Sequence, residues 1–271
     1  MGYDIMKSNI VEGKTPAKEP NVKYIVGQTG SGKSSMIYTL EHSNYVVIDN
    51  DYWRSYFPNY RDIINEYKTD EIPQIMTTMK IWRKQLIEEL SKDKYNLLIH
   101  TSATNSSEIC EQIKKFQEKD YTTSLLVIAC NSTISKLRCC FRYVENVLGK
   151  GYGRYATDHN EVYRRIPFNL QQILQNSDIA DVSIYDSEHK FVNQFNGHSI
   201  EPILHTVSAT REMPLSYEQQ TECSVICKKL MSQLTENKNQ FTLEMFNVIM
   251  KALEEVMCEL SKNIEKGENE K

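Results

Sequence analysis

The 271-residue chain contains no apolar run near the ~20 residues that a membrane-spanning helix needs. Its opening stretch, MGYDIMKSNIVEGKTPAKEP, lacks the apolar segment of a secretory leader, so a cytoplasmic location and no membrane partner are expected. A basic excess is also missing: 32 Lys and Arg face 36 Asp and Glu, for a formal net charge of −4. That balance argues against a protein built to hold long nucleic acid. The seven cysteines are odd in number and fall inside apolar or helical patterns. Such placement excludes the framework of a disulfide-stapled secreted domain. Cys223 and Cys227 are four apart but have no second His or Cys pair to complete a metal site. They read as buried thiols in a reducing compartment. Repeats and low-complexity tracts are absent. The length suffices for one good-sized core, or one core with a smaller appendage.

What is present is an alternation of short apolar runs with helical patterns. Val22–Val26, Tyr45–Ile48, Tyr95–Ile99, Ser124–Cys130 and Val182–Asp186 read as strands. Helices are expected from Gly32 to Glu41, Asp70 to Leu90, Ser106 to Gln117, Thr133 to Leu148 and Asn160 to Asn176. This order predicts an α/β fold with a mostly parallel sheet covered by helices on both faces. Residues 1–20 read as an N-terminal arm and 21–198 as the sheet domain. Residues 199–271 read as a C-terminal helical appendage, with helices at Tyr217–Thr235 and Thr242–Glu265. The Met and Leu stripe on those helices suits packing onto the sheet domain; a partner groove is the alternative. Ligands of such sheets sit at the carboxyl ends of the strands. Gly27–Ser34, Asp49–Asp51, His100–Ser102 and the segment from Asn131 lie there.

Gly27-Gln28-Thr29-Gly30-Ser31-Gly32-Lys33-Ser34 fits G-x-x-x-x-G-K-[ST] and lies between a predicted strand and a predicted helix. A loop of this kind turns backbone N–H groups inward around the β- and γ-phosphates, where the helix dipole adds a favourable field. Lys33 supplies a cation to the β/γ oxygens, and the Ser34 hydroxyl takes a place on Mg²⁺. Ser35 completes the nucleotide-binding set, and the chain is expected to use a P-loop NTPase fold with ATP or GTP as phosphate donor. The loop is shared by kinases, switches and motors. No Asn-Lys-x-Asp stretch marks a GTPase, and no strand ends in the Asp-Glu of an ABC or AAA+ module. These absences favour a kinase.

A kinase also needs a group that orients and deprotonates its acceptor hydroxyl. Asp49 and Asp51 end the second strand, and in an extended segment both project to the same side. The run Val46-Val47-Ile48-Asp49-Asn50-Asp51, with Arg54 and Pro58, follows a Gly-Gln-x-Gly-Ser-Gly-Lys loop. It resembles the zeta toxin family, toxin–antitoxin kinases that phosphorylate a UDP-N-acetyl amino sugar. The likeness continues through Tyr95–Ile99, Arg142-Tyr143, Arg154 and Pro167-x-Asn169-Leu170, and covers roughly Val22 to Leu174. It implies that Asp51 is the catalytic base, that Lys33 is the phosphate-loop lysine, and that Arg142 and Arg154 contact the transferring phosphate. Preorganised cations suit the charge that spreads over that group. Gly149, Gly151 and Gly153 suggest a lid carrying Arg154. Surface salt-bridging is the other reading of both arginines.

The resemblance breaks at the acceptor. Where the family has Glu-Gly-Thr holding the sugar, this chain reads His100-Thr101-Ser102. Ser102 supplies the hydroxyl, but an imidazole both donates and accepts where a carboxylate only accepts. A second acidic contact of the family falls near Lys84. With Asp51 and Arg54, these residues form the expected acceptor site, rebuilt for something richer in negative charge or carbonyls. The resemblance also implies a small helical antitoxin as partner, and no antitoxin domain is visible within the chain. Two other readings stay open: a nucleoside, nucleotide or nucleic-acid-end kinase, and a nucleotide-gated binding module without acceptor chemistry.

Overall fold

The computed structural model describes residues 2–40, 44–69 and 71–269. Its helices are α1 (Gly2–Val11), α2 (Lys33–Leu40), α3 (Asn50–Trp53), α4 (Tyr60–Tyr67), α5 (Pro73–Lys92), α6 (Ser106–Gln117), α7 (Ser132–Lys150), α8 (His159–Asn176), α9 (Ile200–Glu212), α10 (Tyr217–Glu236) and α11 (Leu243–Asn269). The strands are β1 (Asn21–Val26), β2 (Tyr45–Ile48), β3 (Asn96–Thr101), β4 (Thr122–Ile128), β5 (Asp181–Tyr185) and β6 (Phe191–Asn196). They form one sheet in the order β2-β3-β1-β4-β5-β6, parallel except for β6. The α/β reading and all five predicted strands hold. β4 is buried on both faces along six successive residues, as a helix-covered parallel strand must be. Among the described residues no helix is long and apolar enough to cross a membrane.

Two cores flank the sheet. One packs Val22, Tyr24, Leu97, Ile99 and Leu125 against α1, α5, α6, α8 and α9; the other packs Ile25, Leu98 and Leu126 against α2, α7, α10 and α11. The C-terminal helices α10 and α11 thus lie on α7, and the Met–Leu stripe is largely turned inward. Cys227 donates to the Leu253 carbonyl at 3.3 Å across that contact, so its thiol is used in helix packing. Buried thiols account for most of the cysteines, but Cys258 is exposed.

Five of these elements were not expected: α1, α3, α4, α9 and β6. The N-terminal arm carries α1, whose Met6 is fully buried in the first core, while Tyr3 and Lys7 both donate to Glu89 of α5. Burying that methionine contributes roughly 1.5–3 kcal/mol, enough to hold a short helix on the domain. α9 buries Ile203 and Val207, one helical turn apart, on the same core. β6 closes the sheet as an antiparallel edge strand with an almost wholly exposed face, so it has little of the alternation that marks a strand in sequence.

Candidate active site

The switch point of the sheet lies beside β1, which is flanked by β3 and β4. The Gly27–Ser34 loop leaves β1 there. Its conformation requires glycine at two positions: Gly30 has φ +79° and Gly32 φ +100°. A side chain on Gly30 would run into the Ser135 carbonyl oxygen of α7. Gln28 and Ser31 are buried within the loop, and Gln28 Nε2 donates to the Cys130 carbonyl at 2.8 Å and to Ser135 Oγ at 3.2 Å. The Gln28 side chain thus braces the loop, while Ser31 Oγ is buried without a hydrogen-bond partner among the described residues. Ser34 and Ser35 are exposed in the first turn of α2.

Lys33 Nζ donates to the carbonyls of Gly27 at 2.6 Å and Gln28 at 2.9 Å. Burial, helped by the nearby Arg142 guanidinium, pulls this ammonium down to about 8. Arg142 itself is exposed on α7 and has no hydrogen bond or ion pair among the described residues. From the far side of the loop, His189 Nε2 lies 3.0 Å from the Gly32 carbonyl. A carbonyl only accepts, so that ring nitrogen carries the proton. Arg138 Nη2 donates to the Ser187 carbonyl beside it, at 3.0 Å.

The two aspartates after β2 have different jobs. The chain does not stay extended: Asp49 is the N-cap of α3, its Oδ1 accepting from the Asp51 N–H at 2.9 Å. Asp51 stands in the helical turn itself, half exposed. Arg154 lays Nη1 and Nη2 against its two oxygens at 3.3 and 3.0 Å, and Arg54 Nη2 reaches Oδ1 at 2.8 Å. Burial would raise the Asp51 carboxyl, but the Arg154 and Arg54 charges outweigh it and hold it below the ordinary aspartate value. Arg154 reaches Asp51 because Gly151 ends α7 in the left-handed region, with φ 77°. Gly153 then passes close under the Tyr143 carbonyl.

His100 occupies the penultimate position of β3 rather than following the strand. Its Nδ1 is buried without a hydrogen-bond partner and lies 3.8 Å from Asp49 Oδ2. Burial lowers its pKa against the pull of Asp49, and Lys33 and Arg83 add to the fall, so the ring is neutral near pH 7. Ser102 follows the strand, half-buried. Ala103 beyond it has φ 53°, and Asn169 of α8 holds its carbonyl with a 2.7 Å bond.

Lys84 does not join this group. It is exposed on α5, and its charge acts on Glu88 one turn away. The preceding residue, Arg83, faces inward instead, toward Tyr24, Glu108 and Asp49. Lys33, Asp51, Arg54, His100, Arg142 and Arg154 are therefore gathered at the carboxyl ends of β1, β2 and β3, and Lys84 is not.

With this geometry in place, the family model described as Zeta toxin matches residues 7–195. The chain belongs to the zeta toxin family. Toxin zeta of Streptococcus pyogenes is 26% identical over 253 residues, spanning 90% of this chain and 86% of that protein. Toxin PezT of Streptococcus pneumoniae serotype 4 is 25% identical over 191 residues, 68% of this chain and 75% of the relative. The fold also superposes on a chain from the PezAT chromosomal toxin–antitoxin system of that organism. The TM-score is 0.73 at 20% identity, covering 86% of this chain and 96% of the other. Members of the zeta toxin family are kinase-like phosphotransferases, which implies a nucleotide phosphate donor. Within this zeta toxin chain, sequence reasoning did not single out His189, which reaches the phosphate loop, or Arg83, whose charge reaches His100. The signal for Arg83 was available, because it falls on the α5 stripe Ile75, Met79, Leu86 and Leu90 where an apolar residue belongs.

Proposed function

We propose that this zeta toxin family member transfers the γ-phosphate of ATP or GTP to a hydroxyl of a small acceptor, with Asp51 as the base. One observation carries the reading. A phosphate loop with its lysine, a carboxylate held by two guanidiniums, and Arg142, which has no partner among the described residues, converge on one crevice. In-line phosphoryl transfer asks for this set: cations where charge develops, and a base on the acceptor side. Lys33 and Arg142 face the donor phosphates. Arg154, docked on Asp51, is placed to move from the carboxylate to the transferring group, while Arg54 keeps the base oriented.

Among the described residues no group of three or more His, Cys, Asp or Glu side chains could hold a metal ion. The exposed Ser34 hydroxyl fits an Mg²⁺ carried mainly by the nucleotide, the common mode for that ion. When bound, Mg²⁺ would neutralise charge on the β- and γ-phosphates. A protein partner of the antitoxin kind belongs to the same reading, supported by the PezAT system of the relative.

Lys33→Ala should abolish stabilisation by ATP–Mg²⁺. A native-state ligand at 100 times its Kd raises stability by about 2.7 kcal/mol, so a thermal shift assay reads the loss directly. An unchanged shift would overturn the donor site.

The neutral His100 ring, with its unpartnered Nδ1, differs from a sugar-holding carboxylate in hydrogen-bonding sense. Each buried group left unpaired costs about 1–3 kcal/mol. UDP-N-acetylglucosamine should therefore be phosphorylated roughly 10–10²-fold less efficiently than the chain's own acceptor. Radiolabelled γ-phosphate transfer to a fractionated metabolite extract, read by mass spectrometry, identifies that acceptor. Efficient use of the nucleotide sugar in the same assay would show that His100 does not redirect the site.

A further inference from the structure

The turn between β5 and β6 brings His189 onto the phosphate loop. Its Nε2–H donates to the Gly32 carbonyl at 3.0 Å. The same carbonyl accepts from the Met36 N–H at 3.0 Å, the first bond of the α2 ladder, so both of its lone pairs are used. The contact depends on glycine: a Cβ on Gly32 would stand 2.7 Å from His189 Nε2. A glycine at φ +100° can also turn the peptide on either side of it at little cost. The residue that admits the ring is therefore the one that needs holding.

The turn holds the ring in place. Asp186 Oδ1 accepts from the Glu188 and Lys190 N–H groups at 2.8 and 2.9 Å, and the His189 N–H donates to the Asp186 carbonyl at 3.1 Å. His189 itself stands in the left-handed region, at φ 61°, which few residues with a side chain adopt. Two helices pin the turn from outside. Arg138 Nη2 of α7 donates to the carbonyl of the buried Ser187 at 3.0 Å, and Gln219 Nε2 of α10 donates to Glu188 Oε1 at 2.6 Å. The exposed strand β6 acquires a purpose from this: its antiparallel return along β5 closes the chain into the turn that carries His189.

We propose that His189 is a positioning residue of the phosphate loop, fixing the Gly32–Lys33 peptide so that the Lys33 N–H faces the phosphates. This deepens the nucleotide-donor reading and rests on it. In a planar trans peptide the N–H points away from the C=O. Pinning the Gly32 carbonyl along α2 therefore aims the Lys33 N–H out of the helix N-terminus. Lys33 opens α2, so that N–H has no carbonyl to donate to within the helix, and anions bind at such ends. Without the imidazole bond the carbonyl keeps one restraint of two. The peptide then turns more readily and withdraws a donor from the phosphates. The ring acts on bound phosphate through the backbone, and not on the nucleobase.

The test uses the full chain and two probes titrated by calorimetry: ATP–Mg²⁺, and inorganic tripolyphosphate with Mg²⁺, which carries the phosphates without a base. Wild type should bind both. His189→Ala and His189→Phe should each weaken both probes by about 10-fold, the effect of one lost hydrogen bond. Phenylalanine keeps the bulk of the ring, so its loss does not come from packing. His189→Gln sets an amide N–H where Nε2 stands and should bind both within about 3-fold of wild type. Titration well below the melting temperature, where every variant is fully folded, does not respond to a loss of stability alone. Weakening of ATP with tripolyphosphate unchanged would move His189 to the nucleobase and overturn the positioning role. Wild-type affinity in His189→Phe, or no recovery in His189→Gln, would overturn it while leaving the donor site intact. A wild type that binds ATP but not tripolyphosphate would put the affinity in the nucleoside and overturn it as well. Binding of neither probe by wild type overturns the donor site, and the role of His189 with it.

Discussion

Replacing Asp51 by Asn should leave ATP affinity within a few-fold of wild type and lower phosphate transfer by roughly 10²–10⁴, the usual worth of a general base. The amide keeps the shape that Arg54 and Arg154 grip, so the crevice stays assembled while the proton acceptor is removed. Single-turnover transfer at saturating ATP–Mg²⁺ measures the step. The pH profile gives a second reading. Arg154 and Arg54 hold the Asp51 carboxyl below the ordinary aspartate value, so it stays ionised to lower pH than a free aspartate. Its acid limb in kcat/KM should accordingly lie below that value, and activity falls only as pH drops through it. Asp49→Asn is the contrast. Its Oδ1 caps α3 by accepting from the Asp51 N–H, and asparagine caps as well as aspartate. That variant should transfer within tenfold of wild type. Wild-type transfer by Asp51→Asn would remove this residue from the chemistry.

Gly30→Ala should cripple the protein through the loop alone. The residue has φ +79°, and its new Cβ would overlap the Ser135 carbonyl oxygen and press on Cys139 Sγ. Holding a non-glycine residue in that region costs about 1–3 kcal/mol, and overpacking against a backbone adds about as much. The loop relieves this only by moving away from α7. A displacement of about 1 Å at phosphate-binding amides is enough to cost on the order of 10² in transfer. Thermal unfolding and ATP titration should show both effects: a lower Tm and nucleotide binding weakened by a comparable factor. Gly149→Ala is the control, because a Cβ there meets nothing within 4 Å. Equal behaviour of the two variants would show that Gly30 is not needed for its backbone.

The phosphate loop, the five parallel strands and the place of Asp51 shortly after β2 were determined by the sequence itself. Each depends on requirements met within a few residues: glycines where φ is positive, a lysine at the helix start, apolar runs too short for helices. The same holds for α6, whose cap Asn105 and first-turn Glu108 adjoin its apolar pattern. What only the tertiary structure decided is which side each group faces and what it is pressed against. One residue along a helix turns the side chain by about 100°, so Lys84 points to solvent while Arg83 is half-buried within electrostatic reach of Asp49. Asp49 and Asp51 look equivalent in an extended strand. They part company because the chain turns into α3 at Asn50 and makes one a cap and the other a ligand for arginines. α1 and α9 exist as packed helices because Met6, Ile203 and Val207 find a core laid down by distant segments. β6 forms because β5 offers an edge to pair with, not because its exposed residues alternate. Local backbone demands are written in neighbouring residues. The facing of a side chain is set by contacts from dozens of residues away, and no window of sequence contains them.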